Sequence, residues 1–254
     1  MSSRSRRRRR SRRRRQDRTT RLLLAGGIVA LVAGPLLLGG AKAVDSVCDA
    51  VRSDGDIKEI RLGQNTVIRD NKKQVLGRVA GITNRTEVRL GRIPKTVRQA
   101  HVAVEDQRFY EHDGVDVVRV FGAAWRNARS GSAREGGSTI TMQLAKNLTE
   151  GGEERTFERK IVEACLASEY ERQFTKDQIL EKYLNGIFYG NNAVGIQAAA
   201  LTFFNKPATR LELHEGALLA GMPQAPSAYD PFVNPETATQ RRNEVLDRMR
   251  EQDY

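Results

Sequence analysis

Acidic, aromatic and imidazole side chains lie close together in one short segment, residues 105–114. Glu105 and Asp106 are followed by Phe109, Tyr110 and His112, directly after an apolar, helix-like run. This combination of acidic, aromatic and imidazole side chains is not typical of a solvent-exposed helix face, but it is typical of the rim of an active site. Aromatic neighbours that partly remove a carboxylate from water raise its pKa, which lets it act as an acid or base near neutral pH. The segment therefore indicates acid–base chemistry, with an ion-paired helix end around a packed aromatic as the alternative.

A second segment, residues 136–147, has the composition of an anion site. Gly136 and Gly137 free the backbone, and the hydroxyls of Ser138 and Thr139 come just before a predicted helix. The N–H groups at a helix N-terminus favour an anion, and Lys146 adds a positive charge further along. The segment predicts a phosphate or pyrophosphate cradle, or else a flexible loop with an N-cap serine. It is not the phosphate loop of nucleotide hydrolases, because the order G-x-x-x-x-G-K-[ST] is missing.

Three further segments are less specific when each is taken alone. Arg159 and Glu163 are four residues apart and share a helix face, either as a surface ion pair or as a second carboxylate with cations beside the anion site. Residues 176–185 are interpreted mostly as core packing and capping, and residues 241–249 as a basic amphipathic helix.

Most of the net charge of +12 belongs to the N-terminal tail. Residues 1–21 carry twelve arginines and one acid, and residues 22–41 form an uncharged run. Twenty helical residues of ~1.5 Å each span a hydrocarbon core, and arginines before the run place the N-terminus in the cytoplasm. We therefore predict a cytoplasmic tail (1–21), a transmembrane signal anchor (22–41), a stalk (42–64) and an extracytoplasmic domain (65–254). A cleaved signal peptide is the alternative to the anchor.

The arginine tail is interpreted as a stop-transfer signal that contacts anionic lipid. A nucleic-acid arm is the sharper alternative, but no stacking aromatics accompany the arginines, so no nucleic-acid partner is expected. We expect the two cysteines, Cys48 and Cys165, to have no disulfide, although an extracytoplasmic compartment permits one.

The domain is predicted to be mainly α. Apolar residues recur at three and four positions from Ile93 onward, and alternation within residues 64–92 predicts one or two short strands or a hairpin. Two capping boxes mark helix starts, one at Thr175 with Gln178 and one at Thr209 with Glu212.

Taken in order, the five segments resemble the five sequence blocks of the peptidoglycan glycosyltransferase domain. That domain is the membrane-proximal half of class A penicillin-binding proteins and also occurs as a monofunctional biosynthetic transglycosylase. The resemblance covers about residues 65–254, with Met142 and Phe203 as departures from the usual pattern. No S-x-x-K, S-x-N and K-T-G set is found, so the chain resembles either a monofunctional enzyme or the front of a bifunctional one.

The resemblance implies a lysozyme-like helical fold with a small membrane-facing lobe and an inverting glycosyltransferase that acts on lipid II. It implies that Glu105 is the base and that Glu163 is a second carboxylate, which orients the acceptor or a divalent cation. The residues implied in binding the pyrophosphate and lipid II are Ser138, Thr139, Gln143, Lys146, Arg155, Arg159 and Lys160. The residues implied in support are Asp106, Phe109, His112, Gly114 and Asn185.

The implied partners are lipid II, the nascent glycan chain, the membrane and other cell-wall synthesis proteins. No cofactor is required by the sequence; Mg²⁺ or Mn²⁺ is compatible with it, but no ligand cluster of fixed spacing specifies a metal. Two other functions stay open. One is a lysozyme-like lytic transglycosylase that cleaves glycan, and the other is a catalytically silent membrane scaffold for wall-synthesis proteins.

Overall fold

The computed structural model describes residues 48–49, 66–72, 74–79, 85–120, 122, 137–148 and 157–254. The predicted tail (1–21), the predicted anchor (22–41) and Arg155 lie outside the described residues, as do the side chain of Arg159 and nearly all of the predicted stalk. Among the helices that the structure describes, none combines the length and the apolar character that a membrane crossing requires.

The chain divides into two compact units. The first contains residues 1–56 and 116–138, of which residues 48–49, 116–120, 122 and 137–138 are described. The second contains residues 57–115 and 139–254 and carries the elements described below.

The second unit is mainly helical, as predicted. Its helices are α1 (Lys95–Glu105), α2 (Ile140–Leu148), α3 (Phe157–Gln173), α4 (Lys176–Gly186), α5 (Ile196–Phe204), α6 (Leu213–Gly221) and α7 (Pro235–Glu251). Single 3-10 turns lie at Leu90–Arg92, Phe109–Glu111 and Ala208–Arg210.

The predicted hairpin is confirmed. Strands β1 (Thr66–Arg69) and β2 (Val75–Val79) pair antiparallel, with Thr66 opposite Val79 and a bulge at Ile68/Arg69. The carboxylate of Asp70 accepts the backbone N–H groups of Lys72 and Gln74 at 2.9 and 2.7 Å, which closes the turn.

Helix α1 packs between two apolar clusters. In the smaller cluster, small residues let α1 approach α6 closely, because Ala100 and Ala103 meet Ala217 and Ala220. Val97 and Val102 belong to the larger cluster, which has side chains from α2, α4 and α5. Burial of each large side chain there contributes roughly 1.5–3 kcal/mol to stability, so α1 is held firmly by the packed core.

One predicted capping box is confirmed and the other is displaced. The Thr175 side chain accepts from the backbone of Gln178 at the start of α4. The box at Thr209 is wrong, because residues 208–210 form a 3-10 turn and α6 begins three residues later. There the Glu215 carboxylate accepts the backbone N–H of Glu212 at 2.8 Å.

The expectation for the cysteines is also wrong. Cys48 and Cys165 are both disulfide-bonded, and neither is a free thiol. A disulfide depends on the distance between Cα atoms in the fold, which spacing along the chain does not reveal.

Candidate active site

Glu105 is the last residue of α1, and its side chain is partly accessible. The helix ends there, and the next residue, Asp106, has the non-helical angles φ −156° and ψ 77°. The side-chain amide of Gln143, on α2, donates to Glu105 Oε2 at 2.6 Å. An amide donor orients the carboxylate and adds no charge of its own.

The next residue, Asp106, is completely buried and holds the loop in place. Its carboxylate accepts from His112 Nε2 at 3.0 and 3.1 Å and from the backbone N–H of Ile140 at 3.0 Å. The second bond places a carboxylate at the N-terminus of α2, where the helix dipole favours negative charge. These contacts fix the loop, and the supporting roles of Asp106 and His112 in the reaction stay predictions.

Thr139 caps the same helix. Its hydroxyl donates to the carbonyl of Gly114 at 2.5 Å and accepts the backbone N–H of Met142 at 3.1 Å. Gly114 has φ +86°, and an added Cβ would lie 2.8 Å from the carbonyl carbon of Ala167 on α3. Gly114 therefore permits close backbone approach, and the Thr139 hydroxyl is already engaged in capping. A contact of Thr139 or Ser138 with substrate stays a prediction.

The partly buried cation of Lys176 holds the other side of the loop. Lys176 Nζ lies 4.6 Å from the centre of the buried Phe109 ring, donates to the carbonyl of His112, and pairs with Glu171 Oε1 at 2.8 Å. The Thr141 hydroxyl donates to the same Glu171 oxygen at 2.6 Å. Sequence reasoning missed Lys176 and Glu171. One signal was present, because a lysine in the first turn of a helix opposes the helix dipole.

Glu163 lies on α3, which packs against α2, and its side chain is 1% exposed. Lys160 Nζ contacts Glu163 Oε2 at 2.6 Å while its own side chain is 47% exposed. The pair therefore joins a buried carboxylate to an ammonium at the surface. Lys146 is exposed on α2, one turn after Gln143 and on the same face.

Asn185 makes hydrogen bonds that support the fold. Its side-chain oxygen accepts a hydrogen bond from the Val88 backbone N–H at 2.8 Å, and its side-chain nitrogen donates to the Val88 carbonyl at 2.9 Å. The amide thus pairs with Val88 in the way that the backbone of a neighbouring β-strand does. The Arg85 guanidinium donates to the backbone carbonyl of Asn185 at 2.8 Å. These bonds hold the extended segment 85–89 against α4.

Two tyrosines, Tyr183 and Tyr189, and His101 of α1 are completely buried. His101 Nδ1 donates to the Val97 carbonyl at 2.8 Å, and the Tyr189 hydroxyl donates to His101 Nε2 at 2.9 Å. Burial lowers the pKa of His101 from 6.5 to about 4, so the ring is neutral, in agreement with a structural role. Burial first, and then the charge of Glu105, raises the pKa of Tyr183 and of Tyr189 well above the ordinary value. Sequence reasoning assigned neither tyrosine to the site.

The geometry defines a helical domain with a partly accessible carboxylate, Glu105, at a helix end and a buried carboxylate, Glu163, paired with the ammonium of Lys160. The family model described as Transglycosylase matches residues 72–250, and the chain belongs to this family. The resemblance stated from the sequence is thereby confirmed.

Curated relatives of the chain include penicillin-binding proteins. The chain is 49% identical over 191 residues to penicillin-binding protein 1A of Aquifex aeolicus, covering 75% of this chain and 26% of the relative. It is 50% identical over 171 residues to penicillin-binding protein 1A of Pseudomonas aeruginosa, covering 66% and 20%. A crystal structure of penicillin-binding protein 1A from Haemophilus influenzae aligns with a TM-score of 0.41 at 25% identity, over 78% of this chain and 19% of that one. The chain thus spans about a quarter of the length of the curated relatives it matches.

Proposed function

We propose that this chain is a peptidoglycan glycosyltransferase that polymerises lipid II into β-1,4-linked glycan strands during bacterial cell-wall synthesis. The 4-hydroxyl of an acceptor N-acetylglucosamine attacks C1 of the donor, and the configuration at C1 inverts. The hydroxyl proton passes to Glu105. The electron pair of the broken C1–O bond leaves with undecaprenyl pyrophosphate. Such a displacement needs a base at the acceptor and stabilisation of charge at the leaving group.

The observation that carries this proposal is the contrast between two consecutive carboxylates. Asp106 is completely buried, and His112 and the Ile140 N–H both donate to it, which suits a support. Glu105 is partly accessible and is oriented by the amide of Gln143 at 2.6 Å, which suits a base that an acceptor hydroxyl can reach. A candidate base must first be within reach of the proton that it takes.

The leaving group requires cations. Lys160 and Lys146 both have exposed side chains, and Lys160 is held 2.6 Å from the buried Glu163. We assign them, with Arg155 and Arg159, to the pyrophosphate, and we assign Glu163 to the orientation of the acceptor. Because a lipid-linked substrate stays in the bilayer, the proposal includes the anchor at residues 22–41, with the lysozyme-like domain outside the cell and its smaller lobe towards the membrane.

The test is polymerisation of labelled lipid II by the full chain in detergent, with Glu105→Gln and Glu111→Gln side by side. Glu111 is exposed on the same loop, so its variant makes the same chemical change outside the proposed machinery. We expect strands from the wild type and from Glu111→Gln, and a rate at least ~100-fold lower from Glu105→Gln, as expected for removal of a general base. The strands should be digestible by a muramidase, which reports the β-1,4 linkage.

Three results would contradict the proposal. Wild-type rates from Glu105→Gln would remove Glu105 as the base. No strands from a wild type that is folded by circular dichroism would favour the scaffold. Soluble fragments released from wall sacculi, without polymerisation, would favour the lytic enzyme.

A further inference from the structure

The Tyr183 hydroxyl is buried within the larger apolar cluster and has no hydrogen-bond partner among the described residues. The side chain is 0% exposed. Buried polar groups are almost always paired, and a hydroxyl left unpaired destabilises the fold. Phenylalanine would bury the same ring without that penalty. Packing therefore accounts for an aromatic ring at position 183 but not for its hydroxyl.

The surroundings of Tyr183 connect it with the carboxylates at the end of α1. Its helix, α4, packs against α2, which carries the Gln143 amide bonded to Glu105. Burial is the main cause that raises the pKa of Tyr183, followed by the charge of Glu105, then Tyr189 and then Asp106. The titratable groups around this position are therefore the two carboxylates and Tyr189, with His101 and His112 bonded to them in turn.

The neighbouring groups differ in how they use their hydrogen bonds. The Tyr189 hydroxyl donates to His101 Nε2 at 2.9 Å, so its proton is committed. Asp106 already accepts from His112 and from the Ile140 N–H. Glu105 is the accessible carboxylate and the proposed base. Of these neighbours, Glu105 has the largest charge effect on Tyr183 and is the carboxylate that is partly accessible, so it is the acceptor considered for the Tyr183 hydroxyl.

We propose that Tyr183 is a positioning residue for Glu105: once the acceptor is bound, its hydroxyl donates a hydrogen bond to the Glu105 carboxylate and favours the ionised form. The inference rests on the proposed glycosyltransferase function. Catalytic hydrogen bonds are often long or poorly aligned without substrate and tighten in the complex. If the contact forms only in the complex, the hydroxyl has no hydrogen-bond partner in the free chain, as observed.

The test compares Tyr183→Phe with Tyr189→Phe in the full chain, with kcat and kcat/KM for labelled lipid II measured across pH. The profile of kcat reports groups in the substrate complex, and that of kcat/KM reports groups in the free enzyme. For Tyr183→Phe we expect the acidic limb of kcat to move up by about one pH unit, because a donor to a charged group favours ionisation. The limb of kcat/KM stays in place, and thermal stability is equal or higher.

Tyr189→Phe is the matched control, because it removes a hydroxyl from an equally buried ring near the same carboxylate. This hydroxyl has a partner, so its loss leaves His101 Nε2 without a donor. We expect lower thermal stability and an unmoved kcat limb.

An unmoved kcat limb in Tyr183→Phe would overturn the inference, as would equal displacement in both variants. Equal displacement of the kcat and kcat/KM limbs would also overturn it, since the contact would then exist without substrate. If the wild type forms no strands, the proposed function fails and this inference falls with it. An active wild type with an unmoved limb refutes the role of Tyr183 alone.

Discussion

His101 makes the fold sensitive to mild acid. The ring is completely buried in α1, and burial lowers its pKa from 6.5 to about 4. In the unfolded chain the ring takes up a proton near pH 6.5, whereas in the folded chain it stays neutral until about pH 4. The unfolded chain therefore binds more protons in this window, and the free energy of unfolding falls as pH decreases.

The size of this effect follows from the two pKa values. Each unit of difference between the two pKa values corresponds to about 1.4 kcal/mol of stability. Because the folded ring takes up its proton only near pH 4, part of the total loss of stability occurs below pH 5. Between pH 7.5 and 5, the contribution of His101 should reduce the free energy of unfolding by about 2 kcal/mol. Gln is a suitable replacement, because its amide keeps a donor and an acceptor and has no charge to gain.

The assay is denaturant unfolding of the wild type and His101→Gln in the same detergent, followed by far-UV circular dichroism at both pH values. We expect the variant to be less stable at pH 7.5, since it packs less well. Its further loss at pH 5 should be about 2 kcal/mol smaller than that of the wild type. The same decrease in both proteins would show that other groups cause the acid sensitivity and would refute the argument.

Two further variants test the loop that follows Glu105. Gly114→Ala should lower the free energy of unfolding by about 2 kcal/mol or more, because its φ of +86° and the backbone of Ala167 at 2.8 Å both oppose a Cβ. Gly91→Ala, with nothing within 4 Å of the added Cβ, should change little by the same measurement. Asp106→Asn should cost about 2 kcal/mol through weaker bonds to its two buried donors, whereas the exposed Asp113→Asn should be neutral in thermal unfolding.

Local chemistry was predictable from the sequence where one segment contains all of the interacting groups. The capping box of Thr175 and Gln178 spans four residues, and the hairpin turn at Asp70 closes on itself, so neither depends on the rest of the fold. The roles of Glu105 and Asp106 came from the resemblance together with their own neighbours. The box at Thr209 failed because Ser/Thr and Glu spacing occurs in turns as well as at helix starts, and here a 3-10 turn came first.

Contacts between distant segments could not be read in the same way. Lys176 joins Phe109, Glu171 and the carbonyl of His112 only because α4 packs behind the loop. In the sequence, a lysine in the first turn of a helix is unusual because it opposes the helix dipole, but this signal does not show which distant groups the lysine contacts. Tyr183 likewise has helical spacing in an apolar stripe, and nothing in that pattern tells an unpaired hydroxyl from a paired one.

Gln143 explains why the acidic segment and the glycine-rich segment belong to one site. From the sequence it was assigned to the substrate, yet its amide donates to Glu105 Oε2 at 2.6 Å. One turn earlier on the same helix, the backbone N–H of Ile140 donates to Asp106 at 3.0 Å. Helix α2 therefore holds two consecutive carboxylates, one through its first N–H and the other through a side chain three residues later. A shift of one residue at the start of α2 would break both bonds, so the capping of this helix by Thr139 sets the orientation of the proposed base as well as the start of the helix.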